Sequence, residues 1–287
     1  MAPIDLEAEY NNRARVPEHP QIFAQWTRDA EDYRVQAMHE RRAELGLAYG
    51  STQRQFIDLF MPKGDPKSDP KGAARAPLAM FLHGGYWRSL DPSMFSHVAR
   101  GLNAHGVTVA VAGYDLCPEV SIAEIIEQIR HACLFLWLRT QQRIMIYGHS
   151  AGGHLAGAML ATPWHTLYPK TPEDLVPAGY SISGLFDLTP LVHVAMAQDL
   201  GLDEAQARKV SPIFWPAPQG RVFDAVVGGI ESSEFLRQSS EIAKVWGRDG
   251  AITRYEALPD KNHFTVLDAL SDPHSAMVAR LVELAKM

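Results

Sequence analysis

One stretch constrains this chain more than any other: IMIYGHSAGGHLAGAMLA, residues 144–161. An apolar, strand-like run breaks at Gly148, presents a single serine, Ser150, and resumes at once as a helix of small residues. A G-x-S-x-G match alone is weak, because glycine and serine are common. The setting strengthens it. A strand that enters the motif and a helix that leaves it force the serine into a sharp turn with its Oγ exposed. Gly148 and Gly152 then have a physical reason, since neighbouring elements approach too closely for a Cβ. The helix N-terminus adds a partial positive charge and free N–H groups beside Ser150, which favour an oxyanion.

The order of elements around this motif is that of an α/β protein. LAMFLHGG, VTVAVAGYDL, RIMIYGHS, AGYSISGL, FDAVVGG and ITRYEAL are short apolar runs, several without strict alternation, as expected of strands covered on both faces. Helical patterns lie between them. SIAEIIEQIRHACLFLWLRT puts Ile122, Ile126, Ile129, Cys133 and Trp137 on one face; SEFLRQSSEIAKVWG ends in a glycine; PHSAMVARLVELAKM closes the chain. Alternating strands and helices give a mainly parallel central sheet with helices on both faces. QRQFIDLFMP reads as a strand in a hairpin or edge region, and KGDPKSDPKGAARAP as a surface loop. At 287 residues and 46% hydrophobic, the chain can bury one substantial core. We expect a helical segment over residues 1–50, packed on the core like a lid, and one catalytic domain over 51–287.

A serine hydroxyl needs a base, and the base needs an acid to fix its tautomer and offset its charge. In the chain order Ser, acid, His the base should follow the last strand. His263, in LPDKNHFTV, stands there. Glu231, in GGIESSEF, is the first carboxylate beyond FDAVVGG; Glu234 falls on the next helix, Asp224 inside the strand, and Asp187 one strand too early. His149 and His154 flank the serine at spacings that suit packing or lining of the site, and no third ligand gives them a metal-site pattern. His83 is expected to pin its loop. FLHGGYWRS places consecutive glycines after a strand, where backbone N–H groups can point into a cavity. Each such donor to a tetrahedral oxyanion is worth about 3 kcal/mol. The amides of Gly85, Tyr86 and Ala151 are the expected donors, and Gly84, Trp87, Phe186 and Phe264 the expected substrate contacts. Tyr10, Asn11, Arg13 and Trp26 of the N-terminal segment are placed to cover the pocket.

Taken in order, HGGYW, GHSAGGH, SGLFDLTPL, GGIESSEFLRQS and DKNHFTVLDAL resemble the α/β-hydrolase fold and, within it, the kynurenine formamidase (arylformamidase) branch related to hormone-sensitive-lipase-like esterases. The opening LEAEYNNRARVPEH is similar to the N-terminal segment of bacterial members, so the resemblance spans nearly the whole chain. It implies Ser150 as nucleophile, His263 as general base and Gly85, Tyr86 and Ala151 as the oxyanion hole. The family usually has aspartate where this chain has Glu231. The implied activity is cleavage of an aryl formamide or a related aromatic amide or ester, with a short-chain or aromatic carboxylesterase as the alternative and no metal or organic cofactor.

Charge and composition narrow the partners. The net charge of −6 and the scattered basic residues offer no surface that tracks phosphates. We therefore expect no nucleic acid, and a small, aromatic molecule as partner, with a homodimer left open. No run approaches the roughly 18 apolar residues of a membrane-spanning helix. The start MAPIDLEAEYNN does not read as a signal peptide, and Cys117 and Cys133 have no metal-like spacing, so a cytoplasmic location is expected.

Overall fold

The computed structural model describes residues 4–64 and 76–287. Eight strands form one sheet in the order β1-β2-β4-β3-β5-β6-β7-β8. They are β1 (Ala43–Ala48), β2 (Phe56–Phe60), β3 (Leu78–Leu82), β4 (Thr108–Ala112), β5 (Ile144–His149), β6 (Ala178–Ile182), β7 (Val222–Gly228) and β8 (Ile252–Leu258). β1 and β2 pair antiparallel, and so do β2 and β4. Every other pairing is parallel. The helices are α1 (Leu6–Tyr10), α2 (Asn12–Arg15), α3 (His19–His39), α4 (Ala99–Ala104), α5 (Ile122–Thr140), α6 (Ala151–Leu160), α7 (Trp164–Leu167), α8 (Ala197–Leu200), α9 (Glu204–Lys209), α10 (Ser233–Arg248) and α11 (Ala276–Ala285).

The strands without clean alternation are buried on both faces. In β3, Leu78, Met80 and Leu82 join one apolar cluster with α5, α6 and α10, while Ala79 and Phe81 join a second cluster with α3, α4 and α11. This is the doubly covered, mainly parallel sheet the sequence calls for. α5 starts with a capping box, in which the Ser121 side chain accepts from Glu124 N–H and the Glu124 carboxylate accepts from Ser121 N–H at 2.7 Å. Its buried face runs through Ile122, Ile126, Ile129 and Cys133 but closes on Leu136, with Trp137 half-buried. α10 continues through Gly247 to Arg248, one residue beyond the expected glycine stop; the left-handed turn falls at Gly250, φ 107°. Among the described residues, no helix is long and apolar enough to cross a membrane.

The N-terminal fifty residues divide into three parts. Residues 6–15 form two short helices. α3 lies flat on one sheet face, burying Trp26, Ala30, Tyr33 and Ala37; burying a large apolar side chain contributes roughly 2–3 kcal/mol. Tyr33 also donates to Asn103 Oδ1 at 2.5 Å. Residues 43–48, expected to be helical, are instead the edge strand β1. Its register slips between Glu44 and Leu47, which hides the alternation of a strand. The surface loop expected over 63–77 lies mostly outside the described residues.

Candidate active site

Ser150, His263, Glu231 and the HGGYW loop all sit beyond the carboxyl ends of parallel strands, where ligands bind in sheets of this kind. Ser150 links β5 to α6 with φ 55° and ψ −117°. The turn is enforced by lack of space. A Cβ on Gly148 would lie 2.2 Å from Gly152 O, and one on Gly152 would lie 1.9 Å from Leu82 O. The Ser150 N–H donates to Ile182 O at 2.8 Å, tying the turn to β6.

His263 follows β8 and is 4% exposed. Its Nδ1–H donates to Glu231 Oε2 at 2.6 Å, which leaves Nε2 as the acceptor. The other carboxylate oxygen, Oε1, accepts from Gly228 N–H at 2.6 Å and from Ser183 Oγ at 2.5 Å. Glu231 therefore has both oxygens engaged, and the cap of α10 is supplied by Ser232 instead. The competing carboxylates are committed elsewhere. Asp224 takes two bonds from Arg280, Asp187 caps Thr189, and Glu234 pairs with Arg237 and Tyr10. Ser183 escaped the sequence reading; its only signal is a serine followed by glycine at the end of β6.

The flanking histidines are structural. His149 donates from Nε2 to His263 O at 2.7 Å, and the two rings lie 4.7 Å apart. Burial, and secondly the charge of His263, push its pKa well below the ordinary value, so the ring is neutral at pH 7. His154 donates to Val210 O, and burial lowers its pKa to about 4. His83 pins its loop as expected: Nδ1 donates to Gly84 O at 2.7 Å, and the ring stacks between Tyr114 and Phe95. Among the described residues, no cluster of three or more His, Cys, Asp or Glu side chains could hold a metal ion.

The HGGYW loop turns through positive φ at Gly85, Tyr86 and Trp87. Among the described residues, the backbone N–H groups of Gly85, Tyr86 and Ala151 meet no acceptor. A cavity of about 690 Å³ is lined by Ser150, His149 and His263, by Gly85 and Tyr86, and by an aromatic wall of Phe23, Trp26 and Phe264. Asn11 and Arg13 line it too, and Arg88 and Asp199 form an ion pair on its wall.

Of the expected substrate contacts, Phe264 faces this cavity; Gly84, Trp87 and Phe186 do not. Trp87 is fully buried, edge-on to His154 at 5.0 Å, and Phe186 is fully buried against Phe223. Tyr86 takes the cavity side of the loop and Trp87 the core. Gly84 serves proximity: a Cβ there would come within 3.0 Å of the Ser150 Cβ.

Comparison with known proteins agrees with this architecture. A family model described as the alpha/beta hydrolase fold matches residues 79–206. Kynurenine formamidase of Danio rerio is 27% identical over 248 residues, covering 84% of this chain and 81% of the relative. The Drosophila melanogaster enzyme of the same name is 28% identical over 252 residues, covering 83% and 81%. A solved structure from a Silicibacter species, described as a proposed thioesterase, is 34% identical with TM-score 0.80 over 96% of this chain and 98% of its own. A bacterial esterase of the hormone-sensitive lipase family superposes with TM-score 0.64 at 21% identity, over 94% of this chain and 98% of that one.

Proposed function

From the premise that this chain belongs to the α/β-hydrolase family and is a hydrolase, we propose that it cleaves an aryl formamide or a related aromatic amide or ester, N-formylkynurenine being the model substrate. The observation that carries this reading is the cavity: its aromatic wall of Phe23, Trp26 and Phe264 suits an aryl group, and the same space reaches Ser150 and His263. Similarity to kynurenine formamidases over four-fifths of the chain supports it.

In this reading Ser150 Oγ attacks the formyl carbonyl while His263 Nε2 takes its proton. Glu231 holds the imidazole through Nδ1–H and offsets the charge of the imidazolium. The N–H groups of Gly85, Tyr86 and Ala151 receive the oxyanion. Collapse of the tetrahedral intermediate expels the aryl amine with the proton from His263. Water, deprotonated by the same histidine, then releases formate and restores the serine. A reducing, cytoplasmic setting belongs to this reading, supported by the two free, buried cysteines Cys117 and Cys133. A second reading, ester or thioester cleavage by the same groups, is favoured by the 34% identical relative described as a proposed thioesterase.

The deciding experiment compares kcat/KM for N-formylkynurenine with that for p-nitrophenyl acetate, using Ser150→Ala as the blank. A ratio well above one supports the formamidase. A ratio near zero with brisk ester cleavage moves the function to an esterase, and near-normal turnover by Ser150→Ala removes the serine mechanism altogether.

A further inference from the structure

The loop after β3 holds three consecutive left-handed residues, Gly85 at φ 107°, Tyr86 at 50° and Trp87 at 54°. A non-glycine residue in that region is strained, and such strain persists only where the surroundings fix it. Gly85 is fixed through its carbonyl, which accepts from Arg88 N–H at 3.1 Å and Ser89 Oγ at 2.9 Å. Trp87 is fixed by its buried indole and by a carbonyl that accepts from Cys117 N–H at 2.8 Å. Tyr86 is anchored differently: its hydroxyl donates to the backbone carbonyl of Tyr10 at 2.7 Å, in the N-terminal segment.

That segment is itself tied down on its far side. Tyr10 is fully buried; its hydroxyl donates to Glu234 Oε2 at 2.7 Å and accepts from Gln238 Nε2 at 3.2 Å. Its neighbour Glu9 accepts from the Glu234 N–H at 2.9 Å and from Ser233 Oγ at 2.6 Å, a carboxylate seated at the start of α10. α10 begins two residues after Glu231. Residues 9–10 thus span the loops after β3 and β7, one carrying an oxyanion donor and the other the carboxylate that holds His263.

We propose that residues 5–16 are an internal brace of the active site, and that the Tyr86 hydroxyl is a positioning group which, through Tyr10 O, aims the Tyr86 N–H at the oxyanion. The proposal rests on the serine-hydrolase reading above. It differs from a simple cover in what it controls: a cover governs entry and therefore KM, whereas this brace governs binding of the transition state and therefore kcat.

Tyr86→Phe deletes one hydroxyl and keeps the ring. The test measures kcat and KM for p-nitrophenyl acetate and the Ki of phenylboronic acid. With the boronic acid, Ser150 Oγ bonds to boron, the serine proton passes to His263, and a hydroxyl oxygen of the negatively charged tetrahedral adduct occupies the oxyanion site. The brace requires kcat to fall about 10- to 100-fold and Ki to weaken by a similar factor, with KM within about twofold. Tyr10→Phe should shift kcat and Ki the same way by less, and the double variant should be no worse than Tyr86→Phe alone. An unchanged kcat and Ki in Tyr86→Phe, a loss confined to KM, or additive losses in the double variant would each overturn the brace. Wild-type protein that neither turns over the ester nor binds the boronic acid would overturn the serine-hydrolase reading and the brace with it.

Discussion

The turn that carries Ser150 and the turn that carries Glu231 both follow parallel strands and both crowd a glycine, yet the side chains they present are held differently. Around Ser150 the geometry is set by excluded volume: backbone packs on backbone at Gly148 and Gly152 with no room for a methyl group. Around Glu231 the backbone is as crowded, a Cβ on Gly228 lying 2.3 Å from Lys261 O, but the carboxylate itself is held by hydrogen bonds, from Gly228 N–H, Ser183 Oγ and His263 Nδ1–H onto its two oxygens. Steric confinement is coupled to the packing of the whole sheet, whereas a hydrogen-bonded carboxylate can be altered with little disturbance of the core. Damage at the first turn should therefore appear in stability and rate together, and a change confined to the Glu231 carboxylate in rate almost alone.

Glu231→Gln is the largest test. The amide has one acceptor oxygen, which Gly228 N–H and Ser183 Oγ retain, so its NH2 faces His263 Nδ1 and forces the proton onto Nε2; kcat should fall about 10³- to 10⁴-fold, while Tm in a thermal scan moves by no more than about 3 °C. A Tm loss as large as that of an elbow variant would break the comparison. Gly152→Ala forces a Cβ against Leu82 O, and overpacking of this kind costs about 3 kcal/mol; Tm should drop by at least about 5 °C and kcat/KM by about 10²-fold. Ser183→Ala sharpens the contrast, because Glu231 keeps the bond from Gly228. Its kcat should fall by less than about tenfold, read from steady-state rates.

The smallest effect is a pH dependence of stability. Burial lowers His83, His97 and His154 to about 4 and His149 well below its ordinary value. Between pH 6.5 and 4 the unfolded chain binds protons at these sites and the folded chain does not, so stability is full above pH 6.5 and declines as pH falls through that window. Tm measured across it should drop, and His154→Gln should reduce the slope by up to roughly 1.4 kcal/mol per pH unit.

The two turns were not equally legible in the sequence. The elbow announces itself, because steric confinement demands glycine at fixed positions and leaves a pattern in adjacent residues. Glu231 and His263 could be placed by the order of strands, and the structure brings the two side chains within hydrogen-bond distance. Ser183 could not be placed, since its bond to Glu231 joins residues 48 apart in the chain. Trp87 and Phe186 were expected at the substrate because aromatic residues stood beside motif residues; which side of a loop a ring takes depends on packing from distant elements, here His154 and Phe223. β1 was hidden by a glycine, a bulge and a partly exposed face, which together erase the period of two. The bridge from Tyr10 to Tyr86 and Glu234 was equally silent, being made by a backbone carbonyl and by partners 76 and 224 residues away.

The backbone at Ser150, with φ 55° and ψ −117°, also filters which nucleophiles this scaffold can exchange into that position. A side chain branched at Cβ is a severe outlier at positive φ, so threonine would supply a hydroxyl at the expense of the turn that presents it. Cysteine carries no such branch. The route from alcohol to thiol chemistry is therefore open at residue 150 while the route to a secondary alcohol is closed, and a single dihedral angle makes that selection before reactivity enters.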